Sequence, residues 1–343
     1  MNFFDQLFGF SEANPDTVYQ YLSLRGEHLH SKANRKTYRA GRLEVVSLAD
    51  LRARLQADGG APNTIEQVVA NVRSLHQLPE NNGAFFQAAS QFNLLEMVNP
   101  DISPRRGISG YSQDYTQGPA CAIACAAGTV QRNYFATVGE AGQRGQCGTE
   151  QIDTLAAIGD YFDNPRLKLW DMQNGYALFN QRGLKAVDLH LAYLSEAELD
   201  ALRSRLQIGL QWQTEVTSVG PEQVVTQGYC SALPVGYHPF AGSPDWERFA
   251  RLILEATYEA TLLAAAENAR LTGNNRCMLT LVGGGVFANR REWIFGAIER
   301  AYRLGDSLGL RVFVVSYGAA DKGVDRLINS LGCDRPSRPD TVQ

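Results

Sequence analysis

The chain alternates between short apolar runs and stretches whose apolar positions recur at helical spacing. The clearest unit spans residues 279–318. Leu279-Thr280-Leu281-Val282 has strand character, and Gly283, Gly284 and Gly285 follow, then Val286-Phe287-Ala288-Asn289. Trp293, Ile294, Ala297, Ile298, Ala301 and Tyr302 then fall on one helical face, and 310–318 returns as a second apolar strand ending at Tyr317. This predicts a strand–loop–helix–strand unit with its glycines at the carboxyl end of the first strand, where open parallel sheets hold ligands.

The same pattern extends through the chain. Residues 1–25 read as a helical segment carrying Phe3, Phe4, Phe8 and Phe10. Strands are predicted at 27–31 and 42–46, with a turn over 34–41. Ser47 is placed to cap a helix over 48–55. A second helix is predicted over 64–78, from the spacing of Ile65, Val68, Val69 and Val72. Residues 92–98 read as a buried strand enclosing one carboxylate, Glu96. A buried Glu is costly unless paired, so Glu96 marks either a polar pocket or a strand edge. A helix of small residues is expected over 120–128. A further helix should start at Thr149, with Glu150 and Asp153 in its first turn. Strand material follows at 167–170 and 175–179. Ser195 and Glu198 have capping-box spacing for a helix to about 206. Then come a strand within 224–235 and a long amphipathic helix over 245–271.

Helices and apolar strands alternating in this way predict an α/β domain over 26–335, its mixed, largely parallel sheet covered by helices on both faces. An N-terminal helical extension (1–25) and a flexible tail (336–343) complete the expected organisation.

Charge and composition narrow the chemistry. The 343 residues carry a formal net charge of −4 and no basic tract, so no nucleic-acid partner is expected. No run approaches eighteen apolar residues, and the N-terminus lacks a basic region with an apolar core; neither a membrane partner nor a secretory signal is expected. Six cysteines without CxxC spacing read as reduced thiols of a cytoplasmic protein. Five scattered histidines predict no zinc site.

Two loops stand out. Residues 107–119 are glycine-punctuated and polar, with Asp114 the one carboxylate, flanked by Thr116 and Gln117. Gly118 and Pro119 suit a helix start whose amides hold an anion; the plainer reading is that Asp114 and Gln117 only cap that helix. In the other loop, Gly283–Gly285 let the backbone approach a ligand and offer amides to a pyrophosphate. No Gly-Lys-Ser/Thr follows, and the spacing is not GxGxxG. The plainer reading here is a tight turn without a ligand.

The run 279–289, its helix and the strand ending Ser316-Tyr317-Gly318 resemble the last third of a macrodomain, and 92–128 resembles the layout of that family's first ligand loop. The resemblance covers roughly 27–332, with large insertions. It implies a ligand, ADP-ribose, with its diphosphate and distal ribose wrapped by Gly283, Gly284, Gly285, Val286, Phe287 and Asn289. Tyr317 would lie along the adenine, and Glu96, Thr116, Gly118 and Pro119 would line the other half. Two family features are missing. The early Asn-Ala-Asn run is replaced by Asn99-Pro100-Asp101, and the Gly-Gly-Gly…Gln-Glu-Glu signature of poly-ADP-ribose glycohydrolases is absent. Gly118-Pro119-Ala120-Cys121-Ala122 together with 283–289 is similar to the divergent group that removes ADP-ribose from arginine side chains. The implied activity is hydrolysis of ADP-ribosylated protein without metal or further cofactor, with Asp114 as the catalytic carboxylate and Gln117 beside it in the catalytic set; Glu150, Asp153 and Asp101 are rivals for the acid. The alternatives are a non-catalytic ADP-ribose reader, a nucleotide-binding enzyme of another fold and a partner-binding protein.

Overall fold

A computed structural model describes residues 2–55 and 60–333; the 336–343 tail lies outside the described residues. Seven strands build the central sheet: β1 (Arg42–Ser47), β2 (Thr64–Val69), β3 (Phe85–Ala89), β4 (Gln207–Glu215), β5 (Val224–Cys230), β6 (Arg276–Leu279) and β7 (Arg311–Ser316). Their order is β1-β4-β5-β3-β6-β7-β2. The five strands from β5 to β2 are parallel, and β4 runs antiparallel to both its neighbours. The sheet is therefore mixed and largely parallel.

Both faces are buried, and alternation along the strands divides the side chains between them. Phe85, Cys277 and Val312 enter the core under the long Glu247–Thr272 helix. Their neighbours Phe86, Met278 and Phe313 enter the opposite core, against Val72, Leu75, Cys121 and Ala124. A third core joins Phe4, Phe8, Val18 and Leu22 to Leu95, Met97, Ile108, Tyr111 and Tyr134, so the N-terminal segment packs on the loops that follow β3.

Several local expectations give way to tertiary pairing. The 64–78 stretch is strand β2 followed by a short helix, Val72–Gln77, not one helix. Its β-branched residues suit the edge position, where β2 pairs with β7 from Thr64 to Val69. Residues 92–98 form no strand. Leu94 has φ 64°, a left-handed conformation that ends ladder pairing, and the strand of this region is β3, seven residues earlier. Residues 34–41 are not wholly a turn, because Thr37–Arg39 pairs with His28–His30. Thr149 starts no helix: 149–153 is irregular, and the helix begins at Ala156. The 120–128 helix starts earlier and breaks at Cys125, giving Gln117–Ala124 and Ala126–Val130. The 1–25 segment holds two short helices and then a strand, Leu22–Arg25. The glycine-loop strand stops at Leu279, and Thr280–Val282 already belong to the loop.

Candidate functional site

Strands β2, β3, β5, β6 and β7 share a direction, so the segments leaving their carboxyl ends converge at one edge of the sheet. There they enclose a cleft of about 390 Å³. Ser90–Val98 enters it from β3, Ala232 and Tyr237 from β5, Thr280–Phe287 from β6 and Tyr317 from β7. A smaller recess of about 230 Å³ adjoins it, sharing Gln117, Thr280, Leu281, Gly285 and Tyr317.

The glycine loop is held from behind. Gly283 has φ 77°, and a Cβ there would lie 2.6 Å from the Cβ of Ala232. Asn289 is buried away from the cleft; its Nδ2 donates to the carbonyls of Leu233 (2.8 Å) and Gly283 (3.3 Å). Asn289 thus braces the loop and does not line the cleft. Gly284 turns towards Ile294 and Leu281 and faces the smaller recess. A Cβ at Gly285, in contrast, meets nothing within 4 Å. The N–H groups of Gly285, Val286 and Phe287 donate to no acceptor among the described residues. Phe287 packs its ring against Tyr176 and Tyr237, with centroids at 5.5 and 5.7 Å. Tyr317 is 62% exposed at the mouth.

Opposite lies the start of the Gln117–Ala124 helix, whose first-turn N–H groups have no intrahelical acceptor. Asp114 lines the cleft, and its Oδ1 accepts from Thr116 N–H at 2.8 Å. Gln117 also lines it, but its Oε1 accepts from Val72 N–H at 3.0 Å and so ties the helix start to its neighbour. Thr116, Gly118 and Pro119 border the same space. A side chain on Gly118 would strike the Ala89 carbonyl and approach Glu96 Cγ at 3.3 Å, so close packing here requires glycine.

Glu96 is the chemically distinctive residue. It lines the cleft yet is only 4% exposed, and neither buried carboxyl oxygen finds a hydrogen-bond partner. Burial pushes its carboxyl up to about 8; Arg132 opposes the rise, Asp114 adds to it and Tyr111 opposes it. The turn carrying it is heavily braced. Met97 N–H donates to Gln91 Oε1 (2.8 Å), Glu96 N–H to the Tyr111 hydroxyl (3.0 Å), and the Tyr176 hydroxyl to Met97 O (2.6 Å). Gln146, from the 139–148 stretch, donates to Asn93 O at 3.0 Å. A strained, over-determined turn presenting an unsatisfied buried acid is the form in which binding and catalytic sites store local strain.

The structure therefore gathers Glu96, Asp114, Thr116, Gln117, Gly118, Pro119, Gly283, Gly285, Val286, Phe287 and Tyr317 around one cleft. It does not bring Glu150 there: that exposed carboxylate lies against Gly139. Asp153 caps Leu155 N–H outside the cleft, and burial first of all raises it to about 6. Asp101 accepts from Gln173 at 3.0 Å on the surface. Tyr176, Tyr237 and Arg132 escaped the sequence reading, because nothing in their local spacing sets them apart from core residues.

No family model matches the chain, and no curated protein matches it. Among solved structures it is similar to poly(ADP-ribose) glycohydrolase from Thermomonospora curvata, at 12% identity and a TM-score of 0.45, over 89% of this chain and 93% of that one. It is also similar to the Deinococcus radiodurans poly(ADP-ribose) glycohydrolase solved in complex with ADP-ribose, at 13% identity and a TM-score of 0.46, over 84% and 94%. Likeness at these values leaves the chemistry to the residues of the cleft.

Proposed function

We propose that the cleft binds ADP-ribose and hydrolyses the bond joining it to a protein side chain, arginine being the preferred linkage. The observation that carries this reading is Glu96, a buried carboxyl with no hydrogen-bond partner at the wall of a cleft that also offers free backbone amides. The amides of Gly285–Phe287 and the helix start at Gln117–Gly118 supply oriented donors for a diphosphate without a metal. At neutral pH the burial of Glu96 keeps its proton in place. Cleavage of an anomeric C–N bond passes through an oxocarbenium-like state, and the departing guanidine nitrogen takes up a proton, which Glu96 donates. The Asp114 carboxylate, partly exposed in the same cleft, stabilises the cation and accepts a proton from the attacking water. Two carboxyls in contrasting environments provide that division of labour. The arginine preference rests on the likeness of 118–122 and 283–289 to the arginine-directed macrodomain group.

The test has two arms. Calorimetry should show ADP-ribose binding, and at a hundred times the Kd the ligand should stabilise the fold by about 2.7 kcal/mol. ADP-ribose should be released from arginine-modified protein faster than from serine- or glutamate-modified protein. Binding without release from any linkage would make the protein a reader; no binding would remove the reading.

A further inference from the structure

Arg132 lies behind the Glu96 turn and is fully buried. Its guanidinium makes no ion pair among the described residues. Nε donates to Leu94 O (3.1 Å), Nη2 to Thr129 Oγ1 (3.0 Å) and Nη1 to Gln211 Oε1 at the long distance of 3.5 Å. The guanidinium carbon sits 3.5 Å from the ring centroid of Tyr229. All these partners are neutral. A buried cation held only by neutral groups is an expensive way to fill a core, and an apolar residue of similar volume would serve stability as well or better. Two features account for its presence. The Leu94 carbonyl belongs to the left-handed residue of the turn that presents Glu96. The titratable groups that interact with Glu96 are Tyr111 and Asp114 from the loop, Cys121 from the helix after it, Tyr229 from β5 and Arg132; only Arg132 is a cation.

We propose that Arg132 is a positioning residue for Glu96: it pins the turn through Leu94 and supplies the positive charge that the unpartnered carboxyl lacks. The role rests on the reading of Glu96 as the acting group of the cleft. It pairs two buried groups, each poorly compensated alone, across the single residue, Leu95, that separates Leu94 from Glu96.

The experiment titrates the Glu96 carboxyl directly by carbon NMR in the ligand-free full chain labelled at glutamate, with its signal assigned by loss in Glu96→Gln. In Arg132→Gln and Arg132→Met the titration midpoint should move to higher pH by about one unit or more, the scale on which a nearby opposite charge acts. In Arg132→Lys, which keeps the charge, it should stay closer to the parent. An unchanged midpoint in a folded neutral variant overturns the proposal. So does failure of both neutral variants to fold while Arg132→Lys folds, since the charge would then serve the fold itself. If release of ADP-ribose is observed, the limb of its pH profile set by Glu96 should move with the midpoint; a purely structural role would lower the rate at every pH and leave that limb in place. Because the titration needs no ligand, a shifted midpoint in a protein that releases no ADP-ribose would uphold Arg132 and reject the hydrolase reading.

Discussion

Two glutamates, Glu96 buried and Glu12 half-buried, approach the 107–119 loop from opposite ends, and they are not alike. Glu12, from the N-terminal segment, lies under Gly107 and accepts from Ile108 N–H (2.9 Å), Ser109 N–H (2.6 Å) and the Tyr134 hydroxyl (2.7 Å). Gly107 has φ 81°, and a side chain there would meet the Glu12 carboxyl, so this turn is shaped around the acid. Glu96 sits near the other end, below Gly118, with no partner for either oxygen. Burial raises both carboxyls, but at Glu12 hydrogen bonds from three residues, Ile108, Tyr134 and Ser109, pull the other way. Glu12 is thus a fastening and Glu96 an available group. Burial alone does not mark a functional acid; burial without hydrogen bonds, at a cleft wall, does.

The largest test of this contrast is turnover. Glu96→Gln should keep ADP-ribose affinity and cut release at least about a hundredfold, as for loss of a general acid. Asp114→Asn separates the second carboxyl: a comparable fall assigns it to the barrier, whereas near-full activity leaves it as the Asx cap of Thr116, a role in which Asn serves equally well.

Stability against pH comes next. The folded carboxyl of Glu96 titrates near 8 against an ordinary 4.5, so between those values the folded state holds more protons than the unfolded one. The stability that protonated Glu96 contributes is complete below about pH 4.5 and is lost as pH rises through 8. At its steepest the loss is about 1.4 kcal/mol per pH unit for one proton. Denaturant unfolding of the parent should therefore decline over that window relative to Glu96→Gln, which retains the other raised carboxyls, Glu12, Asp153 and Glu215. Parallel curves would mean that Glu96 titrates normally.

Glu12→Ala should be costly for the fold in a way that Glu96→Gln is not. It strands two backbone donors and one hydroxyl, a loss of about 2–3 kcal/mol that chemical denaturation would read. An unchanged midpoint would remove the fastening role. The smallest effect is at the mouth: Tyr317→Ala should weaken ADP-ribose binding by about 0.5–1.5 kcal/mol, the worth of one aromatic contact. Equal affinity by calorimetry would place the base elsewhere.

Local chemistry was readable wherever neighbours in sequence satisfy one another. Ser47 with Asp50 and Ser195 with Glu198 form the capping boxes of their helices. The helical face from Trp293 to Tyr302 is buried, and the glycine loop does leave the carboxyl end of a parallel strand. Short-range hydrogen bonds and a 3.6-residue period need no distant partner, so these features are written in consecutive residues. Tertiary structure decided the rest. β2 is a strand because β7 offers it a ladder, against a spacing that also fits a helix. Glu96 is unsatisfied because Gly118, Ala89 and the braced 91–97 turn close around it. Glu150 falls outside the cleft because the fold sets its carboxylate against Gly139. Arg132 stands behind the turn because the chain returns there 38 residues after Leu94. Whether a carboxylate is solvated, fastened or left bare depends on what the fold packs around it, and residues far away in sequence supply that environment.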